Sequence, residues 1–293
     1  MNQPENLERT IHVRDIDLAV QTFGESADPA VLLIGGAASS MDWWEDEFCQ
    51  RLAAGPRFVI RYDTRDTGQS TSFEAGKPPY TQEDLVADAV GVLDALHLAT
   101  AHIVGISMGG GIAQRIAVEH PDRLTSLTLI STSPGGPGGP ANPDLPPMAE
   151  HLEAAFAEEA PTPDWSDRAA VIQSFVDAER QFSGSLPVDE ARIRRIAGRA
   201  YDRTRDVAAS QTNHWIIEGG EPVRPHLKQV AAPTLVLHGT EDPLFPYGHG
   251  EALANEIPNA RLVPLPRMGH QMPPPEVWDI VISEILRHTA TSH

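Results

Sequence analysis

The sequence contains a single cysteine, Cys49, among its 293 residues. One thiol cannot form a disulfide within the chain, and it cannot supply a cluster of thiolate ligands to a metal. Histidines never occur at the His-x-x-x-His or His-Glu-x-x-His spacing, and Gly-x-Gly-x-x-Gly is missing after the first predicted strands. These motifs are typical of zinc sites and of dinucleotide-binding folds. We therefore expect a protein that works without a metal or a cofactor.

Positive charge is also scarce. The chain has 22 basic against 41 acidic residues, which gives a formal net charge of −19. That balance opposes binding to phosphate backbones and to anionic lipid surfaces, so neither nucleic acid nor a membrane is an expected partner. No apolar run reaches membrane-spanning length, and the first residues lack the basic and apolar regions of a signal peptide. We expect a soluble, cytoplasmic protein, and the sequence does not predict its oligomeric state.

Short apolar runs predict a sheet. Two segments, 10–13 and 18–23, alternate apolar and polar residues as a half-exposed antiparallel hairpin would. Continuous aliphatic runs predict strands buried on both faces, at 31–34, 58–60, 103–104, 127–130, 235–237 and 262–263. Helix-like runs lie between them at 42–53, 81–96 and 108–120, and Thr81 with Asp84 forms a candidate capping box. The alternation predicts an α/β fold with a mostly parallel, doubly wound sheet of about eight strands.

The alternation of strands and helices breaks after Ser133. A run rich in proline and glycine follows, and then come about eighty residues without a clear strand. Candidate helices in that stretch lie at 148–159, 165–182, 189–206 and 207–218, with Pro161 among the breaks. A strand-like apolar pattern begins again at Pro233. We therefore expect a core domain built from residues 1–133 and 230–293, interrupted by a helical cap, or lid, at 134–229.

Five residues, Gly-Ile-Ser-Met-Gly at 105–109, join an apolar run to a helix-like run. On a sharp strand-to-helix turn the central residue is forced to positive φ, so its neighbours two positions away must be nearly bare. Gly105 and Gly109 meet that need. The turn would hold the Ser107 hydroxyl above the strand ends and leave the Met108 N–H at a helix start, where the dipole favours negative charge. The alternative is a glycine-rich turn that contains an incidental serine.

A serine hydroxyl is a weak nucleophile until a base takes its proton, and the base needs an acid to orient it. Asp242 follows one predicted strand, and His270 follows the last one. Catalytic groups in open α/β sheets collect at the carboxyl ends of the strands, so Ser107, Asp242 and His270 should meet at one edge. Glu241 is a rival acid, but the spacing of the loop at 239–246 favours Asp242.

These motifs resemble the α/β-hydrolase fold family over nearly the whole chain. The resemblance rests on the Gly-x-Ser-x-Gly turn, the Gly-x-x-Asp-x-x-x-Pro loop at 239–246 and the Met-Gly-His loop at 268–270, in the chain order Ser, Asp, His. The segment Asp-x-Arg-Asp-x-Gly-x-Ser at 63–70 is similar to a common loop of the family, with Asp66 in place of its first glycine. Together with the glycine pair at 35–36, this variant most resembles the aclacinomycin methylesterase branch.

The resemblance also implies an oxyanion hole. Many members carry His-Gly after the third strand, and Gly35 stands here where that histidine would be. The Ala37 N–H would then be the second oxyanion donor beside Met108, with a donor one residue away as the alternative. Arg65 and Asp66 could contact substrate, but an internal ion pair that braces their loop is the preferred interpretation.

Several residues near the expected site are assigned to substrate binding. They are Gly36, Trp43, His214, Trp215, Phe245 and Met272. Met41 and Trp44 adjoin the same loop as Trp43. For all the larger side chains the alternative is that they only pack the cap against the core.

The resemblance implies a cofactor-free serine hydrolase that cleaves a small-molecule carboxylic ester through an acyl-enzyme. A carbon–carbon bond hydrolase or a perhydrolase could use the same triad. Haloalkane dehalogenases and epoxide hydrolases share the fold but use an Asp nucleophile, so Ser107 argues against both. A non-catalytic ligand-binding protein is the alternative from another class, and it would be expected to lack at least one triad residue. The sequence does not identify the ester.

Overall fold

The chain is built around one eight-stranded sheet. The computed structural model describes residues 8–136, 138, 142–158 and 163–290. Its strands are β1 (Arg9–Val13), β2 (Ile16–Phe23), β3 (Ala30–Ile34), β4 (Phe58–Tyr62), β5 (Ala101–Ile106), β6 (Leu124–Ile130), β7 (Thr234–Gly239) and β8 (Arg261–Leu265). They lie in the order β1-β2-β4-β3-β5-β6-β7-β8. The pairs β1–β2 and β2–β4 are antiparallel and the rest are parallel, which confirms the predicted sheet.

Helices cover both faces of this sheet. On one face lie α1 (Asp46–Ala53) and α9 (Pro275–His288), and on the other lie α2 (Gln82–Ala95), α3 (Met108–Glu119) and α8 (Gly248–Glu256). In β3, Val31 and Leu33 pack into the first layer, whereas Leu32 and Ile34 pack into the second. Successive strand side chains point to opposite faces, so a strand covered on both sides needs an unbroken aliphatic run.

Two strands differ from their predicted burial. We expected β8 to be buried on both faces, but four of its five residues are half-buried or exposed, because it is the last strand of the sheet. We expected the hairpin to be half-exposed, but β2 lies between β1 and β4 and six of its eight residues are buried. A strand's place in the sheet decides its burial, and the alternation of residue types along one strand does not encode that place.

Between β6 and β7 the chain leaves the sheet, and the described part of this stretch contains four α-helices. They are α4 (Glu150–Ala157), α5 (Arg168–Phe182), α6 (Glu190–Arg203) and α7 (Val207–Thr212). The last three begin after an aspartate, Asp167, Asp189 or Asp206, whose side chain accepts a backbone N–H of the first turn. The described bounds of α4, α5 and α6 lie within three residues of the predicted ones. Helix α7 ends at Thr212, well before the predicted end at 218, and gives way to the 3₁₀ turn Asn213–Trp215. The division into a core and a cap at 134–229 stays a prediction.

Some sequence predictions fall outside the described residues. They concern the break at Pro161, the end of the first cap helix, and part of the proline- and glycine-rich run that begins at 134.

The topology places the loops after β3 and β5 beside each other. The strand order changes direction between these two strands, because β4 lies on one side of β3 and β5 on the other. Ligands in open α/β sheets bind in the crevice at such a switch point. The loops after β7 and β8 open at the same edge. Within the described ranges, no helix is long and apolar enough to cross a membrane.

Candidate active site

Ser107 lies at the sharp turn between β5 and α3, with φ of 53° and ψ of −119°. A Cβ on Gly105 would lie 2.1 Å from the Gly109 carbonyl oxygen, and a Cβ on Gly109 would lie 2.4 Å from the Ile34 carbonyl oxygen. Both distances are far inside van der Waals contact. The turn therefore has the predicted shape, and it needs glycine at both flanking positions.

Gly105→Ala should destabilise the fold by about 3 kcal/mol, because the added methyl collides with rigid backbone and neither partner can rotate away. Gly111→Ala is the matched control. Gly111 lies in helix α3, just beyond the turn that follows Gly105, and the nearest atom to an added Cβ there is the Gln82 amide nitrogen at 3.4 Å. We expect the control to gain about 0.5–1 kcal/mol from helix propensity. Urea denaturation of both variants measures the difference, and equal stabilities would contradict the crowding at Gly105.

Three polar side chains from three loops meet above the strand ends. The Ser107 Oγ lies 2.9 Å from His270 Nε2, and His270 Nδ1 lies 2.9 Å from Asp242 Oδ2. The His270 backbone N–H donates to the Phe182 carbonyl at 2.7 Å, and its ring packs edge-on against Phe245 at 5.2 Å between centroids. With the Nδ1 proton held by Asp242, Nε2 is left to accept the serine proton.

The Asp242 carboxylate is fixed on both oxygens. Its Oδ1 accepts the backbone N–H groups of Leu244 at 2.9 Å and Phe245 at 2.8 Å, while Oδ2 faces His270. Burial alone would raise the pKa of Asp242, but His270, His238 and the Phe245 amide outweigh it and hold that pKa below its usual value. The rival acid, Glu241, is exposed and accepts the Ser185 N–H at 2.6 Å. Of the two acids, Asp242 is the one in contact with His270.

Two backbone amides beside Ser107 remain open to a ligand. Met108 is the first residue of α3, so its N–H has no acceptor within the helix. Ala37 follows β3, and in the described part of the chain its N–H meets no hydrogen-bond acceptor. The neighbouring Ala38 N–H donates to His214 Nδ1 at 3.0 Å and is therefore occupied. The oxyanion role of Ala37 and Met108 stays a prediction.

His214 connects the turn after α7 to the loops after β3 and β4. Its Nδ1 accepts the Ala38 N–H, and its Nε2 lies 2.9 Å from the Arg65 carbonyl oxygen, to which it donates. A neutral ring with its proton on Nε2 makes both bonds. Burial lowers the pKa of His214 against the opposing charge of Asp66, so the ring is neutral near pH 7. The sequence predicted His214 only as a pocket residue, and the structure adds this bracing of the loop after β3.

A cavity of about 450 Å³ opens above Ser107 and His270. All six residues assigned to substrate binding line it: Gly36, Trp43, His214, Trp215, Phe245 and Met272. Met41 and Trp44 are instead buried and lie outside this lining. The walls are mostly apolar, and the volume is within the range of small-molecule sites. A substrate-binding role for these residues stays a prediction.

The loop at 63–70 differs from the prediction. Arg65 does not pair with Asp66: its Nε and Nη2 lie 2.6 and 2.9 Å from the carboxylate of Asp88 on α2, and both side chains are buried. Asp66 instead accepts the Tyr80 hydroxyl at 2.5 Å and the Asn213 amide at 2.8 Å. The two charges do brace the loop, but each does so through a distant partner.

Helix α5 contributes to the cavity wall, which the sequence patterns did not predict. Phe175, Ala178, Glu179 and Phe182 line the cavity, at positions i, i+3, i+4 and i+7 of one helix face. Other lining residues that were missed are Ser39, Met148, Phe156, Gln211, Leu244 and Gln271. The helical spacing of these residues could be predicted from the sequence. The element against which this helix face packs could not be predicted, because contacts between distant segments determine it.

Comparison with known proteins gives matches over most of the chain. A model of the alpha/beta hydrolase fold family matches residues 29–273. The rhodomycin D methylesterase DnrP of Streptomyces peucetius is 33% identical over 287 residues, which cover 90% of this chain and 92% of that protein. The 2-hydroxymuconate semialdehyde hydrolase of Pseudomonas sp. is 28% identical over 277 residues, with 92% and 90% covered.

A solved structure gives the same architecture. The esterase EaEST from Exiguobacterium antarcticum superposes with a TM-score of 0.77, over 97% of this chain and 100% of that one. At 20% identity this likeness concerns the fold alone. The family match and the methylesterase similarity confirm the resemblance that the sequence motifs predicted.

Proposed function

The chain belongs to the α/β-hydrolase fold family and is a carboxylic ester hydrolase, and we propose that it cleaves its ester through an acyl-enzyme on Ser107, with His270 as base and Asp242 orienting His270. The observation that carries this proposal is the pair of 2.9 Å contacts from Ser107 Oγ to His270 Nε2 and from His270 Nδ1 to Asp242 Oδ2.

In the first half of the reaction the Ser107 Oγ attacks the ester carbonyl while its proton passes to His270 Nε2. The carbonyl oxygen becomes an oxyanion, and the Ala37 and Met108 amides donate to it. When the tetrahedral intermediate collapses, the bond to the alcohol breaks and His270 returns the proton to the leaving oxygen. Water then attacks the acyl-serine with the same base, which releases the acid and restores Ser107.

Asp242 acts by keeping its charge next to His270. Its lowered pKa keeps it ionised at neutral pH, where it stabilises the imidazolium that forms during proton transfer. The amides of Leu244 and Phe245 hold the carboxylate in place, so it need not reorganise during the reaction.

We further propose that the inserted helices act as a cap over the substrate and that the alcohol part of the ester is small. Helix α5 and the turn at Trp215 supply much of the cavity wall, which would enclose the acyl part. The similarity to a methylesterase supports a methyl ester. Two ester series test this: methyl esters of increasingly large acids, and esters of one acid with increasingly large alcohols. We expect kcat/KM to tolerate growth in the first series and to fall in the second. The reverse order would overturn the substrate proposal.

Trp215→Ala should change kcat/KM unequally between short and bulky esters. Trp215 is 56% exposed, lines the cavity and packs against Phe156 at 6.3 Å between ring centroids. Its loss removes contacts with a large acyl group but leaves the triad intact, so esters of short acids should still be hydrolysed. Steady-state kinetics across the methyl ester series measures this.

Ile216→Ala is the matched control for Trp215, because Ile216 is the next residue, is 54% exposed and is not among the residues lining the cavity. We expect its kinetics to stay close to those of the unmodified protein. Uniform loss across the series in Trp215→Ala, together with a large fall in Tm, would show that Trp215 is a packing residue.

A carbon–carbon bond hydrolase is the second candidate, and the similarity to the 2-hydroxymuconate semialdehyde hydrolase is what favours it. The same triad would then act on a bond between two carbons. Offering the protein that semialdehyde beside the methyl esters discriminates the two. Turnover of the semialdehyde with inert esters would replace the ester proposal.

A further inference from the structure

One carboxyl side chain lines the cavity without any part in the triad. Glu179 lies on the face of α5 that also carries Phe175, Ala178 and Phe182. Apart from histidines, it is the one ionisable residue among the described residues that line the cavity. A lone carboxylate among aromatic rings is costly to keep unless something pairs with it.

Within the described structure, no hydrogen bond or ion pair engages the Glu179 side chain. Arg192 on α6 attracts the Glu179 carboxylate from a distance, but the Nε of that arginine donates to Glu45 at 2.7 Å. Arg195 also faces Glu45, at 3.7 Å. Both of these arginines thus pair with another acid.

Burial raises the pKa of Glu179 to about 7, against the lowering effect of Arg192. The carboxyl therefore changes charge close to neutral pH, and any cation that enters the cavity would favour its ionised form. The other titratable groups that line the cavity are the imidazoles of His214 and His270. His214 is already engaged by Ala38 and Arg65.

We propose that Glu179 is a specificity residue whose carboxylate binds an ammonium group on the acyl part of the substrate. The inference rests on the proposed ester hydrolysis and deepens it. A substrate of this class carries its ester carbonyl at Ser107 and a protonated amine at Glu179, within the same cavity. The amine supplies the partner that the carboxylate lacks, and the apolar walls strengthen the attraction because they exclude water.

Two methyl esters of equal length test the proposal. Methyl 6-aminohexanoate carries an ammonium group where methyl heptanoate carries a methyl group. The ratio of their kcat/KM values measures the preference for a cation. We expect Glu179→Gln to lower that ratio at least tenfold, because the amide keeps the size of the side chain and removes its charge. An unchanged ratio, or an equal loss on both esters, overturns the proposal.

Asp177→Asn is the matched control. Asp177 lies on the same helix, is half-exposed and pairs with Arg180 at 2.8 Å. The substitution removes one carboxylate charge two residues from Glu179, at a position that does not line the cavity. We expect the ratio to stay unchanged in this variant. If the kcat/KM ratio fell equally in both variants, it would reflect the overall electrostatic field of the protein. That result would refute a site at Glu179.

The pH dependence of the kcat/KM ratio separates substrate binding from a structural role, because a purely structural role for Glu179 would not make the ratio depend on pH. As the pH falls from 8 to 6, Glu179 is protonated through its pKa of about 7, so the cation preference of the unmodified protein should decline. A pH effect on the chemical step itself is common to both esters and cancels in the ratio. In Glu179→Gln the ratio should be flat over this range. A decline of the same size in the variant would contradict the assignment.

Stability and binding measurements keep the outcomes distinct. Glu179→Gln should raise Tm at pH 8, because it removes a half-buried charge that has no hydrogen-bonding partner in the described structure, and Glu179→Met is a second uncharged variant of similar size. If the unmodified protein hydrolyses neither ester, the proposed function fails. Binding of hexylamine against hexan-1-ol, followed by tryptophan fluorescence, then tests the site directly. Tenfold weaker hexylamine binding in Glu179→Gln than in Asp177→Asn supports it, and equal binding refutes it.

Discussion

Ser107→Ala is expected to keep the fold and to lower kcat for ester hydrolysis by about six orders of magnitude, as removal of a triad nucleophile does elsewhere. The hydroxyl is the atom in contact with His270 Nε2 at 2.9 Å, and no other hydroxyl is hydrogen-bonded to that nitrogen in the described structure. Alanine retains the Cβ, so the backbone at positive φ is no more strained than before. Initial rates at high enzyme concentration measure the loss.

Stability measurements on Ser107→Ala test whether the lost activity reflects a lost fold. Tm and the circular dichroism spectrum should match those of the unmodified protein, because only one oxygen is removed. A residual rate above that of water is expected from the oxyanion amides and substrate binding. Ester turnover within tenfold of the unmodified protein would show that another group is the nucleophile.

Asp242→Asn is expected to lower kcat by about four orders of magnitude through the wrong histidine tautomer. The Leu244 and Phe245 amides both donate to Oδ1 and so require an acceptor there. The asparagine NH₂ must then face His270 Nδ1 and donate to it. The imidazole proton then lies on Nε2, and this nitrogen can no longer accept the proton of Ser107.

Glu241→Gln is the matched control for Asp242→Asn, because it makes the same chemical change at the adjacent residue. Glu241 is exposed and contacts Ser185, away from His270. We expect less than a threefold change in kcat. If Glu241→Gln were the costly variant, the acid would have been assigned to the wrong residue of the loop.

The sheet could be predicted because burial on both faces imposes an aliphatic run. In β3 every residue from Ala30 to Ile34 is buried, and the run is legible without any knowledge of the neighbours. The exposure of β8 could not be predicted in the same way. Its central pair, Leu262 and Val263, is as apolar as the β3 residues, but both are only half-buried because β8 is the last strand.

The positions of Ser107, Asp242 and His270 could be predicted because each follows a strand of a parallel sheet, and such strands end at one edge. The partners of Arg65 and Asp66 could not. Asp88 lies 23 residues beyond Arg65, and Asn213 lies 147 residues beyond Asp66. Charge proximity in the sequence favoured the wrong pair, and only the packing of α2 and of the inserted helices determines the right ones.

Glu179 shows a further limit of the sequence. The spacing of α5 places it on one face with Phe175 and Phe182, which alone is typical of a helix packed on a core. That this face lines the cavity above Ser107 depends on how the inserted helices lie over the sheet. A polar residue on an apolar face was the signal that could have singled it out.

The most direct test of the acyl-enzyme mechanism is to treat the protein with a fluorophosphonate and to locate the adduct by peptide mass spectrometry. A fluorophosphonate reacts with a serine only when a base activates it. We predict one adduct per chain, on the peptide that contains Ser107, with matching loss of ester hydrolysis and no adduct in Ser107→Ala. An adduct on a different residue, or full ester turnover by protein that stays unlabelled, would contradict the account.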